Sequence, residues 1–431
     1  MTSERPTSWD VRPLAECGVW LSGGTPSKAR REYWGGAIPW VGPKDLHVRY
    51  VDSAEESLTP EGVKRGSRLA PPSTILVVVR SMALGKALQI SFTRREVAFN
   101  QDIKAIIPGE GIDPRFLFYA MWGTHDSLHA LVDEASHGTK RLRTDVLGAF
   151  RMPLPSIGEQ RRIVSVLAAL DDKIDSNRRL ATPLEEIAVA FFRARFVDFV
   201  GVEAFEEGEI APIPAGWKVV PIGQVLKIVG GGTPSTKEPN YWEGGTHCWA
   251  TPKDLSGHDS PVLLGTARHV TDAGLKRISS GILPPDTVLL SSRAPVGYTV
   301  ISKVPIAVNQ GFIAIPPSGD IPSEYVLFWL RHNMDKIKAN AGGTTFAEIS
   351  KRAFRPIPML VPPKQQLNEF GLIVQPILSL IAGLDRERLT LVAVRDALLP
   401  KLISGEIRVP DTVDSKEVIG SAVEQLAGAK A

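Results

Sequence analysis

Cysteine is nearly missing from this chain: Cys17 and Cys248 are the only two among 431 residues. Two distant thiols make neither a disulfide framework nor a zinc cluster, and the eight histidines contain no His-Glu-x-x-His pair. An excess of charge of one sign is missing too. Fifty basic residues face 47 acidic ones, a net +3, and the sequence pI of about 8.7 lies below that of strongly basic DNA-binding modules. No apolar run reaches the ~18 residues that span a bilayer, and Met1-Thr2-Ser3-Glu4-Arg5-Pro6 holds no signal-peptide core. The expectation is a cytoplasmic chain with no membrane partner. Catalytic motifs are the last absence. Gly85-Lys86 lacks the upstream glycine and following hydroxyl of a phosphate loop. The Pro-Pro pairs at 71, 284, 316 and 362 precede Ser, Asp, Ser and Lys, not the aromatic residue of an adenine methyltransferase motif. Pro410-Asp411 and Asp414-Ser415-Lys416 lie too close together for the two halves of a metal-dependent nuclease site. No catalytic or metal residue is assigned, and no cofactor is expected on this chain.

What the chain does contain, it contains twice. Trp9, Gly23-Gly24-Thr25-Pro26-Ser27, Tyr33-Trp34, Trp40 and Lys44-Asp45-Leu46 recur as Trp217, Gly231-Gly232-Thr233-Pro234-Ser235, Tyr241-Trp242, Trp249 and Lys253-Asp254-Leu255. Pro71-Pro72, Arg80 and Asn100-Gln101 recur as Pro284-Pro285, Arg293 and Asn309-Gln310. An offset of 208 residues, from Thr25 to Thr233, is a duplicated domain; solenoid repeats run at roughly 20 to 50. A pseudo-two-fold molecule with two related surfaces suits a long, two-fold symmetric ligand, and duplex DNA leads the candidates. The glycine-rich stretches could cradle phosphate; a tight turn between strands is the simpler reading. Trp34, Trp40, Trp242 and Trp249 read as core.

Composition is that of a globular protein, 43% apolar and 23% charged. Short β-branched runs such as Ser73–Val79 and Thr287–Leu290, broken by Gly and Pro turns, predict sheet-rich domains over 1–155 and 215–362. Each carries one predicted helix near its end, over 114–122 and 322–330. Each closes in a proline hinge leading to a long helical pattern, over 156–200 and 363–408, and 409–431 reads as a flexible tail. Apolar residues in the helical patterns step by four and three. The first seam is Ile163, Leu167, Leu170, Ile174, Leu184 and Phe191, with Asn177 at a seam position. The second is Phe370, Val374, Ile377, Ile381, Leu384, Leu391 and Leu398, interrupted by Arg388 and Arg395. Such steps are the pattern of a coiled-coil seam. Thr182-Pro183-Leu184-Glu185 has the form of an N-cap and capping box, which predicts a kink or restart, and Pro376 should bend the second helix. The fold class expected is α+β, with two sheet domains joined by a pair of long antiparallel helices.

This duplicated order resembles the specificity subunits of Type I restriction-modification systems along nearly the whole chain. The Gly-Gly-Thr-Pro-Ser, Tyr-Trp, Trp and Asp-Leu openings carry the likeness. So do Gly158-Glu159-Gln160-Arg161-Arg162-Ile163, Leu170-Asp171-Asp172-Lys173-Ile174 and Arg395–Glu406. Lys364-Gln365-Gln366, where the family has a Glu-Gln pair, and Pro183 depart from it. The resemblance implies two target-recognition domains, each reading half of a bipartite DNA sequence, and helices that fix the spacer and dock two methyltransferase subunits. S-adenosylmethionine, ATP and magnesium would belong to partner subunits, and whether a restriction/translocase subunit joins them stays open. The alternative is a non-catalytic protein-interaction scaffold with no DNA readout of its own. Candidate DNA contacts are Lys44, Arg80, Arg94, Arg95, Lys140, Arg141, Arg143, Lys253, Arg293, Lys351 and Arg352. For Arg80 and Arg293, a guanine edge, a phosphate and a structural ion pair are all open readings. Sequence readout should sit where the repeats differ, as at Lys140-Arg141-Leu142-Arg143 against Thr344-Thr345-Phe346-Ala347.

Overall fold

The computed structural model describes residues 9–134, 139–208, 212–317, 319–342, 347–410 and 418–420. The chain is α+β and folds into two compact units, Met1–Lys173 with Thr390–Ala431, and Ile174–Leu389. Thr344, Thr345 and Phe346, and most of the expected tail, lie outside the described residues.

In the first unit Asp10–Pro13 pairs antiparallel with Arg151–Leu154, so the ends of the sheet domain close on each other. A five-stranded sheet runs Gly18–Ser22, Ile103–Pro108, Ile75–Val78, Ile90–Thr93 and Tyr50–Val51. Its centre is the β-branched run, whose four residues Ile75 to Val78 are fully buried; a central strand covered on both faces has no polar alternation. A second sheet holds Trp34–Val41, with Val97–Phe99 parallel to it. The helix Pro114–Gly123 starts where expected because Asp113 accepts hydrogen bonds from the backbone N–H groups of Arg115 and Phe116, with proline at the first helical position.

The second unit repeats this plan. Lys218–Pro221 pairs with Pro358–Val361. Thr287–Ser291 lies between Thr299–Ser302 and Phe312–Ile315, and His247–Ala250 runs parallel to Ile306–Val308. In both units the Pro-Pro pair leads to a residue at positive φ, Ser73 (67°) and Asp286 (63°), and then to the central strand. A threonine then locks each turn, Thr74 Oγ1 onto the Pro71 carbonyl and Thr287 Oγ1 onto that of Pro284, both at 2.7 Å.

Two long helices, Ile157–Phe196 of 40 residues and Lys364–Ser404 of 41, contribute to both units. Within each unit they run antiparallel. In the first, Glu159 meets Arg408 and Asp171 meets Arg395. In the second, Asn177 bonds Leu384 and Glu387, and Arg195 bonds Glu369. Asn177 is 1% exposed and donates its Nδ2 across the pair, so it is a buried polar seam residue of the kind that sets register. No residue of the expected seam is exposed. Ile163, Leu167, Leu170, Phe370, Val374, Ile381, Leu391 and Leu398 are buried, while Ile174, Leu184, Phe191, Ile377 and Leu384 are half-buried. The buried stripe is wider than that seam, since Val166, Phe192, Phe196, Leu367, Leu378 and Val394 are buried too. Each helix packs on a sheet domain as well as on its partner.

The restart expected at residue 182 does not occur. The helix passes unbroken through Pro183, Thr182 Oγ1 turns back onto the Arg178 carbonyl at 3.4 Å, and Glu185 pairs with Arg331 of the sheet domain. A single interior proline removes one hydrogen bond, and packing against the domain holds the helix on both sides. The second helix likewise spans Pro376. By length and mean hydropathy (1.5) part of it could cross a membrane. Its apolar residues Leu367, Phe370, Val374, Leu378 and Ile381 instead form the core of the second unit. After it, Arg162 Nε holds the Val409 carbonyl at 3.0 Å and Val409 is buried, so residue 409 is packed, not the start of a free tail.

Candidate nucleic-acid interface

The repeated motif residues prove to be internal scaffolding. Gly23 and Gly231 are not at positive φ; they lie against strand edges. A Cβ would stand 2.2 Å from the Phe99 carbonyl oxygen at one and 1.6 Å from that of Val308 at the other. Close approach, not a tight turn or a phosphate cradle, demands glycine there. The next residues act identically in both units. Thr25 Oγ1 donates to Gln101 Oε1, and Thr233 Oγ1 to Gln310 Oε1, both at 2.6 Å. Trp40 Nε1 donates to the Gly24 carbonyl and Trp249 Nε1 to that of Gly232, at 3.0 and 3.1 Å. Trp34 and Trp242 meet those indoles edge-on at 5.1 and 4.9 Å. Their outer sides are covered by cations, Lys28 at 5.1 Å from Trp34 and Arg268 at 3.7 Å from Trp242. Asp45 and Asp254 cap their own turns, each accepting at 2.8 Å from the N–H three residues earlier.

The basic residues divide sharply. Lys44 is held by Glu55, which raises its pKa, and Lys140 by Glu134 at 2.8 Å, which lowers that of the carboxylate. Arg143 is held by Asp145 at 2.5 Å, with the same effect on that carboxylate. Arg94 stacks on Tyr50 at 4.2 Å, and Arg95 reaches the Ala37 carbonyl only at 3.5 Å. By contrast, the side chains of Arg80, Arg141, Lys253, Lys351 and Arg352 are exposed and make no hydrogen bond or ion pair with the described residues.

Two of these are brought together. The core strand Ile75–Val78 continues through Val79, which is buried, into Arg80-Ser81. That short strand pairs with Lys140-Arg141, placing Arg80 directly opposite Arg141. Leu142 N–H anchors the pairing on the Val79 carbonyl at 2.8 Å. In the second unit Ile349 N–H makes the same bond to Ser292 at 2.9 Å, and Arg293 stands opposite Glu348. The register therefore matches Lys140-Arg141-Leu142-Arg143 with Ala347-Glu348-Ile349-Ser350, not with 344–347. The intervening chains differ in length, so counting residues could not reveal this; the backbone bonds do. Arg293 and Lys253 line one cleft of about 360 Å³ with Asn309 and Gly311. Lys351 and Arg352 open the helix Lys351–Phe354, whose N-cap is Ser350. Glu348 went unnoticed in the sequence because only the hairpin register makes it the counterpart of Arg141.

One polar site in the first unit was also unforeseen. Asp171, 2% exposed, accepts from Tyr50 at 2.7 Å, Tyr119 at 2.9 Å and Arg395 at 2.9 Å. Burial first, and then the charge of Asp171, pushes both phenols upward. Burial works against the Arg395 guanidinium, but Asp171 and Asp396 together outweigh it and the net shift is upward. Arg49, stacked 4.3 Å over Trp122, is pushed down by burial and then by Arg395. At the helix positions that answer to Asp171 and Arg395 in the seam repeat the second unit has Leu378 and Ala188, both fully buried, in a core that also holds Phe196 edge-on to Tyr325 at 4.9 Å. This site is structural, and among the described residues no cluster of three or more metal-ligating side chains forms anywhere.

Duplicated sheet domains, each closed on paired long helices, define the class of protein. The chain belongs to the Type I restriction modification DNA specificity domain family, which it matches over residues 6–186 and 214–383. It is 29% identical over 424 residues to the Type I restriction enzyme MjaIX specificity subunit of Methanocaldococcus jannaschii, covering 94% of this chain and 95% of that one. It is 35% identical over 167 residues to the EcoR124I/EcoR124II specificity subunit of Escherichia coli, covering 38% and 41%. Its fold is that of the Type I restriction-modification S subunit of M. genitalium, with a TM-score of 0.59 at 15% identity over 96% of this chain and 99% of that one. The protein is a Type I specificity subunit, the component that recognises the DNA target. It is non-catalytic and carries no cofactor of its own.

Proposed function

We propose that each sheet domain reads one half of a bipartite duplex target, the first domain spanning 1–155 and the second 215–362. The observation that carries this reading is the exposed Arg80–Arg141 pair at the end of a core strand. Like charges directly opposite on a sheet are destabilising. A pair kept there without a protein partner fits an acceptor-rich ligand such as a phosphate or a guanine edge. Lys253, Arg293, Lys351 and Arg352 supply the corresponding surface of the second domain, and Lys44, Arg94, Arg95, Lys140 and Arg143 serve as supporting contacts.

The helices set the spacer between half-sites and dock methyltransferase subunits, two per chain by the duplication. Each helix of about 40 residues is ~60 Å long, against ~34 Å for one turn of duplex. Leu180 and Ile187 on the first helix and Leu372, Leu380 and Leu389 on the second are about half exposed or more, an apolar surface suited to a protein partner. S-adenosylmethionine, ATP and magnesium act on the partner subunits, with or without a restriction/translocase subunit, in the cytoplasm.

Titration of the full chain, with its methyltransferase subunits, against a random-sequence duplex at several salt concentrations tests this. Sequence-selective binding that weakens steeply with salt is expected. No duplex binding in the assembled complex would favour a scaffold without readout.

A further inference from the structure

Resting on that reading, we propose that the cross-strand pair beyond each core strand is where the two half-sites are told apart. The pair is Arg80 with Arg141 in the first domain and Arg293 with Glu348 in the second. In the first domain it reads guanine; in the second, Glu348 reads a base that presents an amine.

Three observations support this. The pair occupies the same backbone position in both domains, fixed by Leu142 N–H on Val79 and Ile349 N–H on Ser292. Arg80 and Arg293 follow directly on buried strands, Ile75–Val79 and Thr287–Ser292, and the segments of Arg141 and Glu348 are tied to those strand ends by backbone hydrogen bonds. Its chemistry differs between the domains, although the surrounding scaffold of Thr, Gln, Trp and Asp is the same.

That difference separates bases from phosphates. The sugar-phosphate backbone presents the same charge to both domains, so a backbone contact has no reason to change from Arg141 to Glu348. A carboxylate facing phosphate would be repelled. Facing a base, it accepts from cytosine N4 or adenine N6, while a guanidinium spans guanine O6 and N7. Glu348 keeps room to do so: its ion pair with Arg293, at 3.8 Å, is longer than a hydrogen bond, and its side chain is 48% exposed. In the first domain the neighbour across the hairpin from Arg141 is Asp133, which makes no ion pair with it. Both arginines therefore keep their full donor sets.

The test is selection of duplexes from a random-sequence library by the full chain with its methyltransferase subunits, comparing wild type with Arg141→Gln, Arg80→Gln and Glu348→Arg. Arg141→Gln and Arg80→Gln should each erase a guanine preference in one half-site, with a discrimination loss on the order of 10- to 100-fold, and leave the other half-site intact. Glu348→Arg should change the other half-site only, turning an amine-bearing base into guanine. The unaltered half-site in each selection shows that the variant is folded. Equal weakening on all sequences, with the salt slope reduced by about one, would assign the arginines to phosphates and overturn the proposal. So would variants that select the wild-type sequence at wild-type affinity. A wild-type complex that selects no sequence would instead overturn the bipartite reading itself.

Discussion

Replacing Asp171 with alanine isolates what the buried network contributes to the first unit. The side chains of Asp171 and Arg395 are 3% and 9% exposed. Removing the carboxylate leaves a guanidinium in the interior with only Asp396, half-exposed, to face. Breaking one partner of a buried pair costs about 3–5 kcal/mol. The phenols of Tyr50 and Tyr119 lose an acceptor but lie 2.9 Å apart and can bond each other, so they add little. For a unit of this size each kcal/mol corresponds to about 2–4 °C. The first melting transition should therefore fall by roughly 10 °C while the second unit is unchanged. Asp171→Leu with Arg395→Leu removes both charges together. It should cost clearly less than the two single changes added, with a coupling of about 1–3 kcal/mol. Calorimetry resolves the transitions, and hydrogen exchange over 157–173 and 390–404 locates the loosened helices. A cost below about 1 kcal/mol for Asp171→Ala, or strict additivity, would refute the account.

Four further outcomes are expected. The phenols of Tyr50 and Tyr119 are pushed up by burial, so their neutral forms contribute stability that is complete below about pH 10 and lost as pH rises beyond it; alkaline melting should decline there, and less steeply in Tyr119→Phe. Burial also pushes the Cys17 thiol up to about 11, so iodoacetamide at pH 8 should label Cys248 first and Cys17 only as the first unit unfolds. Leu170→Asp, in a site 1% exposed, should abolish assembly with the methyltransferase, and Leu384→Asp should weaken it less because that position is half-buried; wild-type assembly by either would contradict the seam. Exchanging residues 215–362 for those of a relative should change one half-site and retain the other, as sequencing of methylated sites would record; a change in both would contradict two independent readers.

The fold was legible where one residue type has one physical use. Asp113-Pro114 marks a helix start, and the two Pro-Pro turns mark entries to buried strands. The four-three steps of Ile163 to Leu170 and of Phe370 to Ile381 mark helices with a buried stripe. The candidate interface was legible only in part, because exposure and pairing are decided by register. Arg80 and Lys44 look alike in sequence, yet Glu55 holds Lys44 and nothing described holds Arg80. Arg395 reads as a break in the seam and Asp171 only as part of the segment Leu170–Ile174 that carries the family likeness. Their union is visible only when the antiparallel helices place them 2.9 Å apart. Thr182-Pro183-Leu184-Glu185 misleads for a related reason: its local capping signal is real, but the contact of Glu185 with Arg331 outweighs it.

A duplicated chain separates structural demands from functional ones without any second sequence for comparison. Where both copies keep a motif glycine, tryptophan or threonine, the structure gives an internal reason: glycine against a strand edge, an indole N–H on a glycine carbonyl, a threonine on a glutamine. Where the copies diverge, two kinds of change appear. One is interior, as when the Asp171–Arg395 network of the first unit gives way to an apolar core in the second, with Leu378 and Ala188 at the matching helix positions. The other lies at the surface, as two like charges without a partner at Arg80–Arg141 and as a long ion pair of 3.8 Å at Arg293–Glu348. Interior divergence of this kind needs no ligand to explain it, because Asp171 and Arg395 are paired within the first core and the second core is apolar at that place. Surface charges held in one backbone register beyond the core strands, different in sign between the copies and unpaired in the first, fit a partner that is itself different at the two places. Duplex DNA offers the same backbone at both and a different base edge at each.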